Sequence, residues 1–514
     1  MTVAVLAPAR PASDRIRRAA DRLLARWSMY RVVLAALVVL LTAAAITGAT
    51  GITPYPPLAI LASTAVALAA TLGGTWLAAA PLRVRPHPES SLITALLVVC
   101  LFFPGLDVRD LGAVAIAGAV AGISKTLLAW RGRHVLNPVA VGAVVVTLTQ
   151  VSGAAWWIAT PPLLPVLLVG GAVVLLRAGT WDTALAVVVV ALPGAAVRLA
   201  AGGLPLPAAA WTAVASYPVL FFAAFMVSEP LTQAPRRWQR LLVGVLIGAL
   251  TLIPFQVGPV ATSPEVALLV GNAVAFGFGP RRRIRLTVAD RRLEDGVLRL
   301  TFAPERPVRF RAGQYVELTL PGGRGDGRGS RRVFSAASSP LAPELVVVTR
   351  LAEPASSFKR RLAGLRPGDR VAGGALGGDF VAPADDGPQV WFAGGIGITP
   401  FAAFADDLVR RGRPADVVLV QVARTPGDLL LAPVLAAAGV RALVVGPAAV
   451  EPALPAGWTR VADDLAALDL AALIPDLRAR WAGAAGSPAF VRAVRRISRA
   501  AGGRRIRTDR FLGA

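Results

Sequence analysis

The sequence predicts a multidomain chain: a polytopic α-helical membrane domain of about ten helices, then an antiparallel β-barrel domain, then a parallel α/β domain. Three observations carry this. The 514 residues are 55% hydrophobic with a mean hydropathy of +0.61, too apolar for an ordinary soluble protein, and the long apolar runs stop near residue 280. From residue 281 the pattern turns to period-2 alternation around turn signals. From about residue 387 short apolar strands alternate with helical segments, the pattern of a parallel sheet. The boundaries read as 1–30, a basic N-terminal segment; 31–280, transmembrane; 281–384, the barrel; and 385–514, the α/β domain.

Residues 1–30 are Arg-rich and partly amphipathic, which predicts a surface helix on the cytosolic leaflet. No cleavable leader is evident, because the first apolar run is long and no small-residue cleavage site follows a short core. Apolar segments then fall at 31–49, 57–80, 91–104, 111–129, 138–151, 163–176, 182–200, 208–227, 241–258 and 264–279. Alternating sides from a cytosolic N-terminus puts Arg83, Arg85, Arg131, Arg133, Arg177, Arg236, Arg237, Arg240, Arg281, Arg282, Arg283 and Arg285 inside, and essentially only Arg109 and Arg198 outside. That bias is the positive-inside rule. It predicts a multi-pass protein of the cell membrane with both termini cytosolic and lipid as a partner. Two cytosolic-side patches break the apolar pattern, Lys125–Pro138 and Phe225–Thr232, each placing ionisable groups and a Pro where a helix ends.

Composition also excludes. The net charge of +24 does not signal nucleic-acid binding, because the arginines gather at the ends of apolar runs with no stripe of stacking aromatics. Cys100 is the sole cysteine, so neither a disulfide nor a four-thiolate iron–sulfur cluster is expected within the chain. The two histidines, His87 and His134, are too few for a transmembrane path of bis-His haems, and no metal site is expected.

In the soluble part, two alternating runs flank Glu294-Asp295-Gly296, a hairpin signal. Further strands are expected near 315–320, 333–337, 345–350 and 370–373, with a mobile loop over Gly322–Ser330. One stretch stands out, Arg331-Arg332-Val333-Phe334-Ser335. A guanidinium, a flat ring and a hydroxyl spaced i, i+2, i+3 suit a diphosphate, a planar heterocycle and a ring nitrogen in turn. Further on, an apolar strand runs into Gly394-Gly395-Ile396-Gly397-Ile398-Thr399-Pro400, predicting a Gly-rich turn and then a helix capped by Thr399 with Pro400 at its first position. Glycines admit a pyrophosphate, and a helix N-terminus supplies N–H groups to it.

In this order the two motifs resemble the ferredoxin–NADP reductase superfamily, in which an FAD-binding barrel precedes a nicotinamide-nucleotide domain. The resemblance implies FAD as cofactor and NADH or NADPH as substrate. It implies that Arg332 holds the FAD diphosphate, that Phe334 covers the isoalloxazine and that Ser335 approaches N5. It places a second phosphate segment at Ser356 and Ser357, and the dinucleotide turn at Gly394, Gly395, Gly397, Thr399 and Pro400. Arg424 lies on the loop where a 2′-phosphate could be met, and Asp509 and Phe511 match the family's C-terminal acidic-x-aromatic signature. Two departures stand against it. Ala485-Gly486-Ser487-Pro488 replaces a Cys-Gly-Pro found in many relatives, and Phe511 is followed by Leu512-Gly513-Ala514.

Residues of about 30–280 resemble the flavin-carrying membrane components of two respiratory complexes, the Rnf complex and the sodium-pumping NADH:quinone reductase. That likeness raises FMN in the membrane domain, where the nearest text to the family's Ser/Thr-Gly-Ala-Thr signature ends at Thr160, with Trp-Ile in place of Ser-Gly. The combined expectation is a membrane-bound flavoprotein oxidoreductase. It would take hydride from NAD(P)H and send electrons into or through the membrane to a quinone, a flavin, a redox protein or an external acceptor. The alternative is an ion-translocating or coupling component of a larger electron-transport complex. A scaffold with a relic reductase fold is the third reading, which the intact motifs disfavour.

Overall fold

The computed structural model describes residues 27–82, 86–130, 133–278, 284–320, 331–351, 355–383, 387–413, 416–429 and 431–511. The chain divides into two compact units, Met1–Pro280 and Arg281–Ala514. The expected basic surface helix, up to residue 26, and the expected loop over Gly322–Ser330 lie outside the described residues, as do Arg83, Arg85, Arg131, Arg281, Arg282, Arg283 and the last three residues.

The N-terminal unit is helical: α1 (Met29–Ala49), α2 (Pro57–Ala79), α3 (Pro88–Leu101), α4 (Val108–Leu127), α5 (Pro138–Thr149), α6 (Leu164–Ala178), α7 (Trp181–Ala201), α8 (Leu206–Ala215), α9 (Val219–Phe221), α10 (Arg237–Leu250) and α11 (Pro264–Gly277). Starts are encoded locally. Ser28, Asp107, Asn137 and Ser263 each accept an N–H from the first turn, and proline opens α2, α3, α5 and α11, where its missing donor costs nothing.

Among the described residues five helical stretches are long and apolar enough to cross a membrane, or six if a bent pair counts as one span. The remaining apolar helices are shorter, as the expectation of about ten helices with several short ones near 14 residues allowed. Proline is the physical reason at three places. Pro218 breaks the 208–227 segment into α8 and α9, bent by 42°, and α9 continues as a π turn over Phe222–Val227. The helix expected over 241–258 stops at Leu250, ahead of Pro254, and α3 ends at Leu101, ahead of Pro104. Small residues let helices close up: a Cβ on Gly122 of α4 would sit 2.4 Å from the Thr71 carbonyl oxygen of α2.

The C-terminal unit holds two six-stranded sheets. The first comprises β1 (Ile284–Glu294), β2 (Val297–Pro304), β3 (Tyr315–Thr319), β4 (Arg331–Ser335), β5 (Leu345–Arg350) and β6 (Arg370–Gly377). Its order is β4-β3-β6-β1-β2-β5 with antiparallel pairing throughout. A bridge between Ala336 and Val347 links the two ends of that order. The β1–β2 hairpin turns on Asp295 and Gly296, both left-handed at φ 46° and 72°, as a tight two-residue turn requires.

The second sheet comprises β7 (Gln389–Gly394), β8 (Val417–Val422), β9 (Arg441–Val445), β10 (Thr459–Ala462), β11 (Trp481–Gly486) and β12 (Arg507–Arg510). It is wholly parallel in the order β10-β9-β8-β7-β11-β12. The order reverses between β7 and β11, so the crevice outside their carboxyl ends is the topological switch point, where open α/β sheets bind ligands. Both β7 and the Gly-rich turn end there. A shared apolar core including Val297, Ala337, Phe380, Trp391, Phe401 and Phe404 joins the two sheets.

Candidate functional site

Strand β4 sets the first part of the site. Arg332 and Phe334 are two residues apart, so they share a face of the strand, and both reach Phe358. The Phe334 and Phe358 rings stack at 6.0 Å and 27°, and the Arg332 guanidinium carbon lies 5.4 Å from the Phe358 centroid. Arg332 Nη1 also donates to the Arg331 carbonyl at 2.7 Å. Phe358 is fully buried at the start of α12 (Ser357–Ala363). It therefore fixes the cation and the ring from below. Phe358 falls within the segment expected to meet a phosphate, but its contact with Arg332 and Phe334 is not signalled by the sequence. Ser356 is the N-cap of this helix, its Oγ accepting from the Lys359 N–H at 3.3 Å.

Ser335, the last residue of β4, is 9% exposed. On β12, burial pushes the Asp509 carboxyl up to about 6, against the opposing pull of the Arg510 N–H and of the nearby Ser335 hydroxyl. Phe511 follows, its N–H donating to the Gly486 carbonyl at 2.9 Å. Asp509 stands opposite Ala485 in the β11–β12 ladder. Through Ala485 the first motif meets the second, because a Cβ on Gly397 would lie 2.2 Å from the Ala485 carbonyl oxygen.

The Gly-rich turn takes a different form from the one expected. Gly395–Ile398 is a 3-10 turn running straight into α13 (Thr399–Arg410), so Thr399 and Pro400 occupy the first two helical positions. Thr399 is not the N-cap. Ile398 fills that position in helical conformation, and the Thr399 hydroxyl donates back to the Ile396 carbonyl at 3.0 Å. The glycines differ in duty. Gly394 would drive a Cβ into the Phe490 ring at 2.7 Å, whereas Gly395 has φ +54° and open space where its Cβ would be. Gly394 and Gly397 permit packing, and Gly395 permits the turn.

Polar ties hold the sheets in register around this crevice. The Ser339 N–H and Oγ donate to Asp406 and Asp407 on α13, each at 2.7 Å. Arg350 at the end of β5 pairs with Asp428 just past β8. Asp428 also accepts the Arg424 N–H at 2.8 Å, so Arg424 is exposed on a loop pinned at the carboxyl end of β8.

In the N-terminal unit, Thr160 precedes a 3-10 turn, and its Oγ1 is buried without a hydrogen-bond partner among the described residues. No cluster of three or more metal-ligating side chains occurs among the described residues.

No family model matches the chain. It is 37% identical over 133 residues to the NADPH oxidoreductase of Mycobacterium tuberculosis, across 25% of this chain and 34% of that protein. It is 34% identical over 129 residues to the reductase subunit of an aromatic O-demethylase from Amycolatopsis, covering 24% and 37%. With the reductase component of phenol 2-monooxygenase from Pseudomonas it shares 35% identity over 127 residues, covering 24% and 35%. The chain spans about a third of the length of these curated relatives. Among solved structures, the Amycolatopsis cytochrome P450 reductase matches at 27% identity and TM-score 0.37, covering 45% of this chain and 70% of that one. The Neisseria gonorrhoeae ferredoxin–NADP+ reductase with bound FAD and NADP matches at 20% identity and TM-score 0.37, covering 45% and 99%. The three curated relatives are reductases or reductase components by name.

Proposed function

We propose that the chain is a membrane-anchored, FAD-dependent NAD(P)H oxidoreductase that delivers electrons to a quinone, flavin or redox-protein acceptor. One observation carries this reading: a line of contacts runs from Ser335 to Asp509, to its ladder partner Ala485, and on to Gly397, joining the Arg332–Ser335 strand to the switch-point turn. The curated relatives, reductases and reductase components by name, support the same class.

The residues present fit a flavin. Arg332 supplies a cation for the diphosphate, Phe334 a flat face stiffened by Phe358, and Ser335 a hydroxyl for the ring edge. When bound, FAD would accept a hydride and release its electrons singly. Asp509, its carboxyl raised by burial to about 6 beside the Ser335 hydroxyl, exchanges a proton close to neutral pH. The Gly394–Gly397 turn and the α13 N-terminus receive the dinucleotide diphosphate, which sets the nicotinamide toward Ser335. Arg424 is placed to meet the adenosine end of either cofactor. The apolar helices anchor the chain in lipid and take the electrons onward.

The test is anaerobic NAD(P)H oxidation by full-length, detergent-purified protein, beside Arg332→Ala. Flavin-dependent oxidation lost in the variant and restored by excess FAD supports the proposal, and oxidation indifferent to both would overturn it.

A further inference from the structure

The two polar patches of the N-terminal unit, 95 residues apart, fold onto one another. His134 Nδ1 lies 2.8 Å from Glu229 Oε1. Asn137 Nδ2 donates to Glu229 Oε2 at 2.9 Å, so both carboxylate oxygens are engaged. Asn137 is fixed in turn: its N–H donates to Asn272 Oδ1 on α11 at 2.8 Å, and its Oδ1 caps α5. Glu229 follows the π turn Phe222–Val227, an irregularity frequent at functional sites. The side chains of His134 and Glu229 are 12% and 20% exposed, so both are largely but not fully covered.

Other ionisable groups complete the surroundings. Lys125 on α4 donates to the Ser90 carbonyl at 2.5 Å and to Ser90 Oγ at 2.8 Å, and its charge is felt by Glu229 and by His87. At the start of α3, Glu89 is held by Arg31 at 3.0 Å, and His87 stacks on Tyr30 at 4.9 Å.

A carboxylate can only accept, so the hydrogen bond makes Nδ1 the protonated nitrogen of His134 and leaves Nε2 as the exchangeable position. No described residue bonds Nε2. Among the described residues this ring has one nitrogen committed to a carboxylate and the other without a hydrogen-bond partner.

We propose that His134 and Glu229 form a proton-binding site of the membrane unit, with Glu229 holding the Nδ1 proton while Nε2 takes up and returns one H+. Negative charge arriving in the membrane unit would favour that uptake. This coupling, unlike the site itself, rests on the electron route proposed above.

The chain contains only two histidines, which makes the test direct. In full-length His87→Gln protein in lipid bilayers, 15N-labelled histidine reports one imidazole, followed by solid-state NMR across about pH 5 to 9. Nδ1 should stay protonated throughout while Nε2 titrates, and Glu229→Gln should weaken proton binding at Nε2 at least about tenfold. Nε2 fixed in one state, an exchanging Nδ1, or a titration indifferent to Glu229→Gln would overturn the site. If that variant does not fold, the assignment of Nδ1 and Nε2 in the parent spectra still decides. Proton uptake on reduction by NADPH, read with an indicator dye, should fall in His134→Gln. Uptake unchanged alongside the expected titration would keep the site and overturn its link to electron flow.

Discussion

The Asp509→Asn substitution probes the contact on which the two motifs meet. The carboxyl is raised from 3.8 to about 6. A group that binds its proton more tightly in the folded state makes stability fall as pH rises, here between about 4 and 6, with no further change above. The shift is about two units, so ionised Asp509 costs the folded unit up to about 3 kcal/mol at pH 8. Asparagine removes that cost and weakens the polar contacts to the Arg510 N–H and the Ser335 hydroxyl, together worth up to about 2 kcal/mol. The net expectation is a gain of about 1 kcal/mol at pH 8, a rise of roughly 2–4 °C in Tm for a unit of this size, and a neutral or negative effect at pH 4. Intrinsic tryptophan fluorescence of full-length protein during heating reads this. Turnover should move the other way, with NAD(P)H oxidation slowed and its dependence on pH near 6 lost. A variant destabilised equally at pH 4 and pH 8 would refute the argument, since burial of the charge could not then be the source of the shift.

Other expectations follow from the same geometry. Arg332→Ala removes a charge-assisted contact of about 1.5–3 kcal/mol, so flavin affinity measured by fluorescence should fall roughly ten- to a hundredfold. Phe358→Leu keeps the core filled but loses the stack on Phe334 and the cation–π contact with Arg332, so flavin should bind several-fold more weakly while Tm moves little. Gly395→Ala meets no neighbour and strains only the backbone, so it should raise KM for NAD(P)H at unchanged flavin content; Gly397→Val collides with Ala485 and should lower Tm itself. An FMN ester at Thr160 predicts an FMN-sized mass increment on the intact protein that Thr160→Ala abolishes.

The grouping of Arg332 with Phe334 and the β1–β2 turn were legible because their residues are close in sequence. The i, i+2 spacing of Arg332 and Phe334 places both over Phe358, and Asp295-Gly296 forms the hairpin turn its sequence signals. The rest depended on partners or on composition without a signature. β11 reads Trp-Ala-Gly-Ala-Ala-Gly, lacking the β-branched residues that mark strands. β12 reads Arg-Thr-Asp-Arg and becomes a strand only beside β11. Thr399 carries a capping residue's side chain, yet the 3-10 turn before it leaves no extended position to cap. The meeting of His134 with Glu229 joins two segments that no local pattern relates. Prolines fixed the helix breaks, but the apolar runs around them hid which segments were long enough to span.

The central claim is most directly tested by the flavin carried by full-length protein purified in detergent, counted separately in acid-released and acid-precipitated fractions. The account predicts acid-released FAD near one per chain, with its yellow absorbance bleached anaerobically by NADPH or NADH; flavin in the precipitate as well would add a carrier within the membrane unit. A colourless protein, or a bound flavin that neither nucleotide bleaches, would contradict it.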